Sequence, residues 1–159
     1  MPVTDVKEYL RQYGLEDRVR ELSESSATVE LAAQALGCEP ARIAKTLSFK
    51  LEEGPVLIVA AGDAKVDNAK YKAKFHQKAK MLTPEEALTL IGHPVGGVCP
   101  FALKPGVAVY LDESLKRFQT VFPACGSGNS AIELTLPELE RASRAAEWAD
   151  LCKGWQEEA

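Results

Sequence analysis

Histidine is scarce in this sequence, with only His76 and His93 among 159 residues, and the four cysteines stand apart with no C-x-x-C pair. Structural zinc takes four converging Cys or His ligands at short paired spacings, and catalytic zinc takes two or three His or carboxylate ligands. No metal site is therefore expected, and no cofactor. Long hydrophobic runs are also missing. The longest is Val56-Leu57-Ile58-Val59-Ala60-Ala61, far below the roughly 20 residues that cross a bilayer, so it reads as a buried strand. The first eight residues, from Met1, hold neither a basic cluster ahead of an apolar stretch nor a small-residue cleavage site, which points to the cytoplasm and away from a membrane. No glycine fingerprint follows a strand within a βαβ unit, which removes the nucleotide-binding folds. No repeat, Gly/Ser linker or low-complexity tract divides the chain.

Hydrophobic residues make up 46% of the chain and charged residues 26%, ordinary usage for a soluble globular protein. Residues 1–159 suffice for one compact domain with its own core, needing neither disulfides nor metal. Cys38, Cys125 and Cys152 read as free thiols of a reducing compartment. The net charge of −4 argues against general DNA binding, yet charge is unevenly placed: residues 65–80 hold six lysines and one acid, Asp67. Lys70, Lys72 and Lys74 fall on one predicted helix there. They read equally as a phosphate-contacting patch or as a solvated helix face.

Apolar spacing at Val6, Tyr9, Leu10 and Tyr13 predicts a helix over 5–13, capped by Thr4 and ended by Gly14. A second helix is predicted over 29–36, capped by Thr28 and stopped by Gly37. Alternation over 46–51, a turn at 52–55 and the apolar run 56–61 predict an antiparallel strand pair, with Lys45 at the mouth of the first strand. Helices are expected over 67–75 and 84–91, the latter with a Thr83/Glu86 capping box. Strands are expected over 107–111, 119–122 and 131–134, and a last helix follows Thr135 with Glu138 completing its box. The fold class is α+β: one mixed, largely antiparallel, barrel-like sheet flanked by helices.

Two places draw attention as chemistry. Lys45 lies among core-directed neighbours, where an ammonium can face a cleft and a phosphate or oxyanion within it; equally, such a lysine lays its stem on apolar surface and points its charge to water. The loop Val95-Gly96-Gly97-Val98-Cys99-Pro100-Phe101 could aim successive amides at a ligand, or be an ordinary turn. Cys99 with His76 or His93 as base forms a third, thiol-dependent reading, but nothing marks a third orienting group. A second polar loop, Gly126-Ser127-Gly128-Asn129-Ser130, either lines the same pocket or is a turn.

Taken together, Ala44-Lys45-Thr46-Leu47, the Gly-x-x-x-Pro loop from Gly96 to Pro100, and the strand-loop-strand from Phe118 to Leu134 make the chain resemble the YbaK and prolyl-tRNA-synthetase-associated editing-domain family. The resemblance covers nearly the whole chain. It implies a metal-independent deacylase acting in trans on mischarged aminoacyl-tRNA, tRNA-Pro carrying a small wrong amino acid being the expected substrate. It further implies prolyl-tRNA synthetase or another synthetase as partner. Carried onto this sequence, Lys45 holds the terminal nucleotide, the amides of Gly97, Val98 and Cys99 receive the aminoacyl carbonyl, and Gly96, Pro100, Phe101, Gly126, Ser127 and Asn129 line the substrate site. Ala124 and Ala131 stand where the cysteinyl-editing branch has a serine and an acid, which leaves alanine, serine and threonine open. The rival reading is a non-catalytic module of the same fold that binds tRNA or a synthetase.

Overall fold

The computed structural model describes residues 2–94 and 96–155. Met1 and Val95, which belong to the readings of the amino terminus and of the glycine loop, lie outside the described residues. Helix α1, Pro2–Arg11, begins two residues before Thr4, so Thr4 does not cap it; Val6 and Leu10 on its inner face are fully buried. Strand β1, Arg20–Glu21, follows. Helix α2, Val29–Leu36, has the expected limits, because the Thr28 hydroxyl accepts from Leu31 N and Gly37 closes it in a left-handed conformation.

The long hairpin of β2, Ile43–Leu51, and β3, Gly54–Ala61, is the centre of the molecule. Its antiparallel register runs from Ala44↔Ala61 to Leu51↔Gly54. β2 begins three residues earlier than alternation alone predicts, so Lys45 is inside the strand and not at its mouth. After β4, Lys65–Val66, come α3, Asn68–Phe75, capped by Asp67, and α4, Pro84–Glu86, whose Thr83/Glu86 capping box is formed. The next turn, 87–91, widens into a π-helix ended by Gly92. Then follow β5, Ala108–Asp112, β6, Thr120–Pro123, β7, Ser130–Ala131, β8, Leu134–Thr135, α5, Leu136–Ser143, β9, Glu147–Ala149, and β10, Cys152–Lys153.

The main sheet has six strands in the order β8-β6-β2-β3-β5-β9. It is mixed, as expected: β2–β3 and β6–β8 are antiparallel, whereas β2–β6, β3–β5 and β5–β9 are parallel. The single strand expected over 131–134 is instead two short ones. β7 leaves the main sheet to pair with β1, and β8 returns to pair with β6. The larger core cluster gathers Leu57, Val59 and Leu111 from the sheet with Leu10, Phe101 and Leu139 from around it. A second cluster places Tyr71 and Phe75 of α3 on Phe49, Val56 and Ile58 of the other face.

The carboxylate of Glu138 has a double use. It accepts from Thr135 N at 2.9 Å within the α5 capping box and from both Arg18 guanidinium nitrogens, at 2.9 and 2.6 Å. The Arg18 hydrogen bonds are the main cause that holds its pKa down at about 2, against an ordinary 4.5. A depressed carboxylate stabilises the native state fully above its unfolded value and loses that contribution as pH falls through the folded one. Urea unfolding measured from pH 5 to 2 is expected to show this loss between about 4.5 and 2, on the order of 1 kcal/mol because Arg18 is solvent-screened. Glu138→Gln should lack that segment of the pH dependence; an identical pH profile would remove Glu138 from the acid transition.

Candidate active site

β2 is paired on its β3 side throughout, but its other edge is interrupted. Ile43 and Ala44 pair there with β6. Farther on, Leu82 N donates to Ser48 O and Lys50 N donates to Lys80 O. Between these contacts, residues 45–47 have no strand neighbour on that edge among the described residues. Alternate residues of a strand aim their main-chain groups at the same edge. Ser48 and Lys50 point outward, so Thr46 does too, and its N–H and C=O open into the notch.

A cavity of ≈ 260 Å³ occupies this notch. Lys45, Thr46, Leu47 and Ser48 form its floor, Ala27, Thr28 and Val29 at the start of α2 one wall, and Gly96 and Val98 another. Phe122, Ala124 and Ala131 close the far side, where Ala124 and Ala131 face each other as an isolated bridge. The wall holds Lys45 but no carboxylate and no imidazole among the described residues.

Lys45 donates to Gly62 O at 3.5 Å. Burial holds its ammonium below the ordinary lysine value, with Cys152 and Asp63 opposing in part. Asp63 is already taken by Arg117, at 2.6 and 3.0 Å, so Lys45 has no carboxylate partner of its own among the described residues. Gly62 must be glycine for this arrangement: a Cβ there would lie 2.0 Å from Pro40 O, inside the turn that leads into β2.

The glycine loop is divided in its roles. Gly96 and Val98 reach the cavity. The Gly97 amide does not, because it donates to Pro94 O at 3.0 Å, which corrects its expected role as a carbonyl donor. Gly97 is instead the point where this loop touches the second one: a Cβ would meet Ser127 N at 2.5 Å and Gly126 C at 2.6 Å. The amides of Val98 and Cys99 have no hydrogen-bond partner among the described residues. Pro100 and Phe101 are buried, and Phe101 packs toward Tyr9 in the core. They support the loop and do not line the cavity.

The 126–129 loop also lies outside the cavity wall. Ser127 Oγ bonds the Asn129 side chain and Ser130 Oγ, Asn129 Nδ2 donates to Leu22 O, and the carbonyls of Asn129 and Gly128 accept from Leu22 N and Ser26 N. Gly126, Ser127 and Asn129 therefore brace the segment that carries Ser26 and Ala27 into the wall. Ser26, Thr46, Ser48 and Phe122 were not singled out from sequence. For Thr46 and Ser48 a signal existed, since both put hydroxyls on one face of a strand whose β3 partners there, Val59 and Leu57, are fully buried and apolar.

Cys99 is fully buried, and burial pushes its thiol up to about 12. His93 Nε2 lies 2.7 Å from Phe101 O and 3.5 Å from Cys99 Sγ. A carbonyl only accepts, so Nε2 carries the proton and is no base for the thiol. Nδ1 is buried without a partner, and burial lowers the His93 pKa. His76, the other candidate base, is exposed at the end of α3, as its left-handed C-cap. The thiol-dependent reading does not fit this geometry.

On α3, Lys70 bonds Asp150 and the Cys152 carbonyl, each at 2.9 Å, and Lys74 pairs with Glu147. Of the three lysines proposed from sequence, Lys72 alone is free of a carboxylate among the described residues.

Comparison with known proteins places this architecture. The model of the aminoacyl-tRNA editing domain matches residues 23–142, and the chain belongs to that family. It is 54% identical over 157 residues to the uncharacterized protein YwhH of Bacillus subtilis, which covers 98% of this chain and 100% of that one. It is 31% identical over 149 residues to the proline–tRNA ligase of Thermosipho melanesiensis, covering 90% of this chain but 26% of the ligase. A crystal structure described as a candidate trans-editing enzyme for prolyl tRNA synthetase superposes with a TM-score of 0.88 at 32% identity, over 96% of this chain and 98% of that one. The fold is that of the editing domains. No helix among the described residues is long and apolar enough to cross a membrane.

The state of Cys99 is directly testable. Iodoacetamide at pH 8 is expected to modify the partly exposed Cys38 first and to leave Cys99 unmodified in the native protein, read by peptide mass spectrometry. Labelling of Cys99 as fast as of a free thiol would contradict its burial and raised pKa.

Proposed function

We propose that the chain is a trans-acting aminoacyl-tRNA deacylase, and that one editing domain makes up residues 1–159. The observation that carries this reading is the ammonium of Lys45, without a carboxylate partner among the described residues, on the floor of a cavity that the glycine loop reaches through Gly96 and Val98. Family membership and the similarity to a prolyl-tRNA-synthetase trans-editing candidate support it. The expected substrate is tRNA-Pro carrying a small wrong amino acid, and the expected partner a prolyl-tRNA or other synthetase, with the cytoplasm as the place of action.

In this mechanism Lys45 holds the phosphate or ribose of the terminal nucleotide, and the Val98 amide receives the carbonyl oxygen as it gains negative charge, whereas Cys99, fully buried and off the cavity wall, is removed from the expected set of carbonyl donors. A water oxygen, its proton taken by solvent or by a group of the substrate itself, attacks the ester carbon. The carbon–oxygen bond to the ribose then breaks, and the ribose hydroxyl leaves with a proton. Among the described residues the cavity wall supplies no carboxylate or imidazole base, so the proton passes to solvent or to the substrate's own groups. Catalysis is positioning plus electrostatic stabilisation. Cys99 contributes packing.

Lys45→Ala is expected to lower kcat/KM for deacylation of mischarged tRNA-Pro by about 100-fold, while Cys99→Ala retains most activity. A folded Lys45→Ala variant at wild-type rate would refute the assignment. If the wild-type protein hydrolyses no mischarged tRNA yet retains tRNA affinity, the binding-module reading replaces this one.

Lys72 on α3 is the position proposed to contact tRNA phosphate. Lys72→Glu should weaken tRNA binding and reduce the slope of log K against log salt concentration by about 1. An unchanged slope would return α3 to ordinary solvated surface.

A further inference from the structure

The Lys45 ammonium shares its end of β3 with a carboxylate. It bonds Gly62 O at 3.5 Å, and the next residue is Asp63, in a turn closed by Ala64 N donating to Ala61 O at 3.0 Å. Two cations act on the Asp63 carboxylate, Arg117 and Lys45, and the Arg117 hydrogen bonds are the main cause that holds its pKa below the ordinary value. Arg117 grips it with both terminal nitrogens, at 2.6 and 3.0 Å. The guanidinium is itself held. Its Nε donates to Ser114 O at 2.9 Å and its Nη1 to Trp155 O at 3.4 Å, and its central carbon lies over the rings of Phe118 and Trp155, 4.9 and 5.1 Å from their centroids. The turn that carries it, Glu113–Arg117, is tied to the end of β3, because Ala61 N donates to the buried Ser114 Oγ at 3.1 Å.

The other groups that act on Lys45 do not replace Asp63. Cys152 of β10 keeps its proton at neutral pH, since burial is the main cause that pushes its thiol up to about 12. Glu30 of α2 is exposed, so water and salt screen it. Lys65 of β4 repels the ammonium. Asp63 is therefore the carboxylate able to close on Lys45, and the Arg117 fork is what turns it away. An ammonium paired with a carboxylate attracts a phosphate less, and the carboxylate itself repels one. A guanidinium suits this task better than a second lysine, since its planar fork takes both carboxylate oxygens at once. A part-exposed ion pair adds little stability, so stability alone does not account for so many contacts on one side chain. We infer, resting on the deacylase reading, that Arg117 is a positioning residue: it holds the Asp63 carboxylate off Lys45, so that the ammonium stays open to the terminal nucleotide of the substrate.

The test reads Lys45 itself before it reads the reaction. Competitive acylation with acetic anhydride, followed by peptide mass spectrometry, measures how readily the Lys45 amine reacts in the wild-type protein, in Arg117→Met and in Arg117→Lys, each variant also paired with Asp63→Asn. Thermal melts verify folding. A released Asp63 favours the charged form of Lys45, so its acylation at pH 8 is expected to fall about 10-fold in Arg117→Met. Adding Asp63→Asn should restore it. Arg117→Lys keeps a cation on Asp63 without the fork; a smaller fall in the same direction is expected, and this variant carries the test if Arg117→Met does not fold. Unchanged Lys45 reactivity in the folded Arg117 variants overturns the inference, as does a fall that Asp63→Asn does not reverse. Deacylation of mischarged tRNA-Pro should follow the same order through a higher KM at little-changed kcat, again reversed by Asp63→Asn. The deacylase reading fails separately. If the labelling follows this order but the wild type hydrolyses no mischarged tRNA, the control of Lys45 by Arg117 is sustained and the activity is overturned. Hydrolysis that Arg117→Met leaves intact does the reverse.

Discussion

The antiparallel ladder between β2 and β3 is the constraint on which the site depends. Eight consecutive register pairs, Ala44↔Ala61 through Leu51↔Gly54, fix which residues face which side, because a slip of one position would exchange the two faces. With that register set, Lys45 emerges on one face, Thr46 and Ser48 on the other, and the Thr46 main chain lies between them at the edge. The notch then arises because β6 reaches only Ile43 and Ala44, while the 80–82 segment joins the same edge only from Ser48 onward. A site at an interrupted edge exposes main-chain hydrogen-bonding groups without surrendering the strand, since the opposite edge remains fully paired.

The surrounding loops are held to that edge by close backbone approaches. Gly97 lets the 96–98 loop lie directly on the backbone of Gly126 and Ser127, and Gly62 lets the end of β3 lie against Pro40 O. The 126–129 loop in turn grips Leu22 and Ser26 through backbone and side-chain hydrogen bonds. Cavity walls drawn from α2, β2, the glycine loop and the β6–β7 region are thus tied together by a chain of backbone contacts that excludes Cβ atoms at two points. Such bracing suits a mechanism without a side-chain base, in which the geometry of fixed charges and dipoles supplies the rate.

Much of this was legible in the sequence where the signal is local. Thr28 and Gly37 bound α2, the capping boxes at Thr83 and Thr135 form as read, and alternation finds the hairpin. The start of β2 lies earlier than alternation predicts because Ile43 and Ala44 are held extended by pairing with β6, some 80 residues away. The same distance hid the partners of Lys70 and Lys74, which are Asp150, between β9 and β10, and Glu147 of β9. Composition marks 126–130 as a polar, glycine-rich loop, but it cannot tell a loop that touches ligand from one that braces its neighbour. Lys45 stands out in the sequence from its apolar surroundings and lies on the cavity wall, whereas Thr46 beside it is marked only by the register that sets it opposite Val59.

The central claim is that rate comes from positioned charge and not from a protein acid or base titrating near neutrality. The most direct measurement is the ratio of enzyme-catalysed to spontaneous hydrolysis of one mischarged tRNA-Pro across pH 6 to 10, in which ionisation of the substrate's own amine cancels. The account predicts a flat ratio through neutrality and a fall only as Lys45 loses its proton, below the ordinary lysine value. A ratio that rises or falls through an ionisation between pH 6 and 8 would assign the chemistry to a group other than Lys45 and would contradict the account.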